Sequence, residues 1–131
     1  MLSIAAFRRI VRASAIYDLV VTAPFVTPWT FAFAHVQLQH HNAMLGGAPL
    51  PPFAPLHILF VCAMAGLVMV WSVLRITDPQ PRFGRYDGTG RMLFTLWMAW
   101  ALAVSDTPVL WLFIVPEALW AIVQWLPLRR G

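Results

Sequence analysis

The amino-acid sequence predicts an all-α integral membrane protein: a four-transmembrane-helix bundle, N-in/C-in, with proline-kinked helices 1 and 4. Three observations carry this. Hydrophobic residues make up 60% of the 131-residue chain and charged residues only 11%. Soluble domains carry about 25% charged residues, so this chain lacks the polar surface to face water. Its apolar runs are continuous rather than alternating, which indicates helices and not barrel strands. Finally, the basic residues, nine arginines and no lysine, gather at one set of span ends.

The whole chain, 1–131, reads as one domain. A bilayer core of about 30 Å needs about twenty helical residues per crossing, and four segments qualify. The first covers residues 13–36. Its preceding arginines resemble the start of a signal peptide, but Asp18, Pro24 and Pro28 interrupt the apolar stretch and no small-residue cleavage site follows. A retained helix, kinked at its prolines, is expected. The second span covers 55–76. The third, 91–105, is short, and fifteen residues reach only about 22 Å; it starts earlier or the bilayer thins around it. The fourth covers 107–126, with Pro116 at mid-depth, where the missing N–H frees the Leu112 carbonyl and favours a kink. Ser105-Asp106-Thr107-Pro108 reads as the turn and N-cap before it. The segment between spans two and three, TDPQPRFGRYDGTGR, has the prolines, Asp-Gly and glycines of a turn region.

Arginine placement sets the topology. Arg8, Arg9 and Arg12 precede the first span. Arg75, Arg82, Arg85 and Arg91 flank or fill the loop after the second. Arg129 and Arg130 follow the fourth. The other two connections contain none, so the positive-inside rule places both termini in the cytoplasm. The net charge of +4 does not imply nucleic acid, because the arginines form no basic face and no nucleic-acid-binding motif is present. A bacterial inner membrane fits the arginine- and alanine-rich composition and compact loops. Trp29, Trp71, Trp111 and Trp125 fall near span ends, as an interfacial belt requires. Trp97, Trp100 and Trp120 lie deeper, as core packing or ligand contacts.

Glu117 is the most informative residue. A charge at mid-membrane costs at least about 2.5–3.5 kcal/mol on insertion scales. Glu117 must therefore be protonated and hydrogen-bonded, paired with a base, or turned toward a polar cavity. Asp106, Glu117 and Gln124 are spaced by eleven and seven residues, which brings them within about 20° of one direction on a helix. Phe113 and Trp120 flank this stripe. In the first span Asp18 is followed at i+4 by Thr22, and is placed to reach Arg12 or Arg91. The second span offers His57, Met64 and Trp71 along one face; the third offers Arg91, Thr95, Met98 and Ser105. Four such stripes converging would build an internal site. Cys62–Gly66 and Ala99–Ala103 are small-xxx-small pairs suited to close helix contact.

His35, His40, His41 and His57 all fall on the expected outer side. They offer imidazoles to haem iron or copper, although no haem-attachment, zinc-protease or paired-cysteine motif accompanies them. The leading expectation is a non-enzymatic membrane protein that binds a small apolar or amphipathic ligand (lipid, quinone or similar) or a partner membrane subunit. Glu117, Trp120, Gln124, Asp18, Thr22 and Phe113 would line the site. Two alternatives remain: a proton-coupled transporter titrating Glu117 or Asp18, which at this length needs a homodimer or larger complex, and a haem or metal redox protein using the four histidines.

Overall fold

The computed structural model describes residues 1–129, so Arg130 of the arginine count lies outside it. The described chain is all-helical and contains no strands, apart from a single backbone bridge between Leu2 and Leu128. Two helical segments, Pro55–Thr77 and Pro108–Trp125, are long and apolar enough to cross a membrane. The bent pair Ile4–Phe25 plus Pro28–Met44 makes a third if it counts as one span.

The expected first span, 13–36, is two helices. Helix α1 covers Ile4–Thr22 and α2 covers Pro28–Met44, bent by 96° at the intervening break. Pro24 and Pro28 each lack an N–H to continue the α1 ladder. Thr27 then starts α2 afresh: its hydroxyl accepts the Thr30 N–H at 3.1 Å, and the Thr27 N–H donates to Thr30 Oγ1. A reciprocal cap of this kind begins a helix rather than kinks one.

The second span agrees closely with expectation: α3 covers Pro55–Thr77. The third does not. Helix α4 runs Pro81–Val104, so ten residues read as a turn region are its first three turns. The glycines there are contact points. A Cβ at Gly84 would fall 2.5 Å from Val11 Cγ2, and one at Gly88 3.1 Å from Gln124 Cβ. Gly84-Arg-Tyr-Asp-Gly88 is thus the small-xxx-small motif that brings helices together. The two pairs expected to do so face elsewhere: Ala99 and Ala103 are exposed, and a Cβ on Gly66 would meet nothing. The fourth span is a 3-10 turn, Pro108–Leu110, followed by α5, Trp111–Trp125, which stays helical through Pro116.

Helix α1 is central. Phe7, Val11 and Ala15 have no exposed surface, and α1 packs along α3 while meeting α4 and α5, which pack on each other. At one end the two chain termini are joined: the Leu2 N–H donates to the Pro127 carbonyl at 2.9 Å and the Arg129 N–H to Leu2 O at 2.8 Å. Two arginines cap helices there. Arg12 Nε donates to Ile76 O, and Arg85 donates to the Gln124 and Leu126 carbonyls. Ile76 and Gln124 belong to the last turns of α3 and α5 and Leu126 is the residue just past α5, where carbonyls lack helical partners.

The other end is closed by α2. Asn42, fully buried, donates to the Ala48 carbonyl at 2.8 Å and accepts the Val109 N–H at 3.1 Å. It thereby joins α2, the 45–54 loop and the start of the α5 segment. Asp106 is not the cap expected there. Its carboxylate accepts the Ala48 N–H across the loop, because Asn42 already occupies the free N–H of the turn.

Candidate functional site

Between these ends, four helices place their charged residues in one buried network. Arg75 of α3 is completely buried. Its NH2 lies 2.5 Å from Asp18 of α1, and its NH1 lies 2.7 Å from Asp87 of α4. Ser14 and Ser72 accept its remaining amino protons at 3.1 and 3.2 Å. Arg91 of α4 spreads over three acids. Its Nε reaches Asp87 at 2.9 Å, NH2 reaches Asp18 at 2.6 Å, and NH1 reaches Glu117 of α5 at 2.8 Å.

Neutral groups complete the set. The Trp71 indole N–H donates to Asp87 Oδ1 at 2.9 Å, and Gln124 Nε2 donates to Asp87 Oδ2 at 2.7 Å and to Ser14 Oγ at 2.9 Å. Ser14 passes its own proton to the Val11 carbonyl at 2.9 Å. The serine hydroxyl therefore uses its one donor and both lone pairs. Arg75 Nε and Gln124 Oε1 find no partner among the described residues, so it is the multiple ion pairs that make the buried charge tolerable. Each guanidinium, costly to take out of water, faces at least two carboxylates at hydrogen-bonding distance, and breaking such a set is far more damaging than its net worth suggests.

The carboxylates differ in what they have left to offer. Asp87 accepts on both oxygens. Asp18 and Glu117 each use one: Asp18 Oδ2 takes both arginines and Glu117 Oε1 takes Arg91. Their second oxygens receive no hydrogen bond from the described residues and are not sealed from the surface. Glu117 has the most open side chain of the five charged groups, 17% exposed against 8% for Asp87. Because NH1 and NH2 of the one Arg91 hold Glu117 and Asp18, the two carboxylates stand side by side at the edge of that guanidinium. Trp120 lies beside them: its ring is 5.9 Å from that of Tyr17 and 6.0 Å from the Arg91 guanidinium carbon.

Of the residues expected in the site, Glu117, Gln124 and Asp18 are in one network and Trp120 is at its edge. Asp18 takes Arg91, one of its two expected partners, while Arg12 turns to the α3 carboxyl end. Phe113 is one turn away, where it lines an apolar groove of about 270 Å³ together with Val21, Pro24, Phe25, Leu112 and residues of α2. Thr22, half-buried on α1, makes no side-chain hydrogen bond among the described residues. Trp97 and Trp100 are exposed at 61% and 60%, so they are not core. Trp71, expected in the interfacial belt, is instead the Asp87 donor.

Spacing alone leaves Arg75 and Asp87 out of the site, and brings Arg91 in as a partner for Asp18 and as part of the stripe with Thr95, Met98 and Ser105. From sequence Arg75 is a flank that sets topology, and Asp87 is part of an Asp-Gly turn. The available signals were the Asp87–Arg91 spacing of four and the Gly84–Gly88 pair beside it, both of which suit a helix.

The histidines lie apart from this network. His35 Nε2–H donates to the Pro51 carbonyl at 3.1 Å, and His57 Nδ1 accepts the Ala54 N–H at 3.3 Å. Both rings pack against Phe53, with centroids 5.4 and 6.1 Å away. His40 and His41 are neighbours on exposed positions of α2, and His41 Nδ1–H donates to Gln37 O. No three His, Cys, Asp or Glu among the described residues are grouped to hold a metal ion.

No protein-family model, curated protein or solved structure matches this chain. Its function is therefore argued from the site alone.

Proposed function

We propose that this is a non-enzymatic, multi-pass membrane protein that binds a small amphipathic ligand (a lipid, quinone or similar) with the ligand's polar end at Glu117. The observation that carries the reading is the asymmetry of the network. Arg75, Arg91 and Asp87 are committed and closely packed, and Asp18 keeps one free oxygen at 10% exposure, whereas Glu117 keeps a free oxygen and a more exposed flank, 17%. One helical turn from it, Phe113 opens the apolar groove. A polar acceptor beside an apolar groove near the small end of ligand-pocket volumes is the usual composition of an amphiphile site.

The same reading has the chain crossing the bilayer four times, N-in/C-in, in a bacterial inner membrane. Helices α1 and α4, at about 28 and 36 Å, are long enough to cross. Their mid-helix charges, Asp18, Asp87 and Arg91, which lower their hydropathy, are paired inside the bundle rather than exposed to lipid. The joined termini support an even number of crossings, and Arg8, Arg9, Arg12, Arg82, Arg85 and Arg129 at that end support a cytoplasmic face.

Native mass spectrometry from a mild detergent tests the ligand. The expected result is one non-covalent adduct per chain on the wild type, lost in Glu117→Gln. A bare wild-type mass after gentle extraction, or an adduct retained in full by Glu117→Gln, contradicts the reading.

A further inference from the structure

The geometry points to a ligand class: a lipophilic organic cation whose ammonium-type head sits between Glu117 and Asp18 while its hydrocarbon part lies in the groove. This rests on the ligand reading above and narrows it.

Three independent features converge. The first is charge. The network holds three carboxylates, Asp18, Asp87 and Glu117, against two guanidiniums, Arg75 and Arg91. With all five ionised, one negative charge is left over in a low-dielectric setting, where an uncompensated charge is strongly unfavourable. A proton or a monovalent organic cation removes it, a neutral head leaves it, and an anion doubles it.

The second feature is where that charge is accessible. Every Asp87 oxygen is engaged, so the unspent carboxylate oxygens are Asp18 Oδ1 and Glu117 Oε2; the Gln124 carbonyl oxygen also has no partner among the described residues, but it is sealed in the interior. One guanidinium holds their partner oxygens, Asp18 Oδ2 at 2.6 Å and Glu117 Oε1 at 2.8 Å. The excess charge is thus concentrated on two adjacent groups at the least buried edge of the network.

The third feature is the wall. Trp120 and Tyr17 meet at 5.9 Å with ring planes 48° apart, on the helices that carry Glu117 and Asp18. Tilted aromatic faces beside carboxylates attract alkylammonium groups through the negative face of the ring. Val21 and Phe113, one turn farther along the same two helices, begin the apolar groove. Head and tail subsites therefore lie in the order an amphiphilic cation needs.

The test uses the full chain in nanodiscs, with decyltrimethylammonium as the cationic probe and decanol as the neutral one. Each is titrated calorimetrically, with empty nanodiscs subtracted. The expected result is saturable binding of the ammonium at one site per chain, at least about tenfold tighter than decanol. Glu117→Gln should weaken the ammonium about tenfold and leave decanol unchanged. The wild-type comparison stands even if that variant fails to fold. Equal affinity for the two probes overturns the cation assignment while leaving an amphiphile site in place. Absence of saturable binding by either probe overturns the cation site and counts against the underlying ligand reading.

Discussion

The half of the molecule near the joined termini and the half under α2 are held by different physics. In the terminal half the buried set is rich in polar groups: Ser14, Asp18, Ser72, Arg75, Asp87, Arg91 and Gln124 lie beside Phe7, Val11, Ala15 and Ala121. Every buried residue of α3 lies at Ala65 or beyond, and every buried residue of α4 lies at Arg91 or before. In the other half no residue of these two helices is buried as a whole: Leu59, Phe60, Met92, Leu96, Trp97 and Trp100 are all exposed. Lipid is as apolar as these side chains, so leaving them outside costs little. Charges have no such freedom. They force the helices together wherever Asp18, Arg75, Asp87 and Arg91 occur, and glycines at 84 and 88 let the backbones come close enough. The difference teaches that in a membrane a few ionic groups, rather than the abundant hydrophobes, decide which parts of helices touch.

The strongest way to break this comparison is to unbalance the network. Arg75→Met keeps volume but leaves Asp18 and Asp87 short of a cation, and should destabilise the fold by about 3–5 kcal/mol, read as denaturant unfolding in detergent. A loss below about 1 kcal/mol would mean the ion pairs do not hold the bundle. Next comes the close approach. Gly84→Ala sets a methyl 2.5 Å from Val11 Cγ2 and should cost about 1–3 kcal/mol, as overpacking does. An unchanged melt would place α1 farther from α4 than described.

The α2 end is clasped by hydrogen bonds rather than charges. Asn42→Ala orphans the Val109 N–H and the Ala48 carbonyl and should cost about 1–3 kcal/mol. The accompanying change should be faster hydrogen exchange confined to residues 45–54 and 106–110; uniform exchange across the chain would show that the two halves are not independent. The smallest effect belongs to the open region. Trp97→Ala, at 61% exposure, should stay within about 0.5 kcal/mol. A larger loss would show that this face is covered by a second copy or another subunit.

How much of this was legible in the sequence follows the same division. Apolar runs gave α3 almost to the residue, because an uninterrupted hydrophobic helix has no competing interpretation. Glu117, Gln124 and Trp120 were recognisable as one face of a helix by spacing alone. The start of α4 was not, since proline, Asp-Gly and repeated glycine signal turns in water. Within a bundle the same glycines serve contact, and Asp87 finds Arg91 one turn on. Nor was the break at residues 23–27 legible. A kink and a break begin with the same prolines, and only the Thr27–Thr30 cap distinguishes them. Counting Arg75 and Arg91 as loop charges gave a topology from residues whose charge is spent inside the fold.

The central claim is that the network is saturated at Asp87 and open at Glu117. Thermal unfolding of Asp87→Asn and Glu117→Gln in one detergent tests it directly, because the two changes are chemically the same. At Asp87 an amide must turn N–H protons toward existing donors, and about 3–5 kcal/mol should be lost. At Glu117 the carbonyl oxygen can keep Arg91 while the new NH2 turns to the opening, so the loss should be about 1 kcal/mol or less. Equal losses, or a larger one at Glu117, would contradict the account.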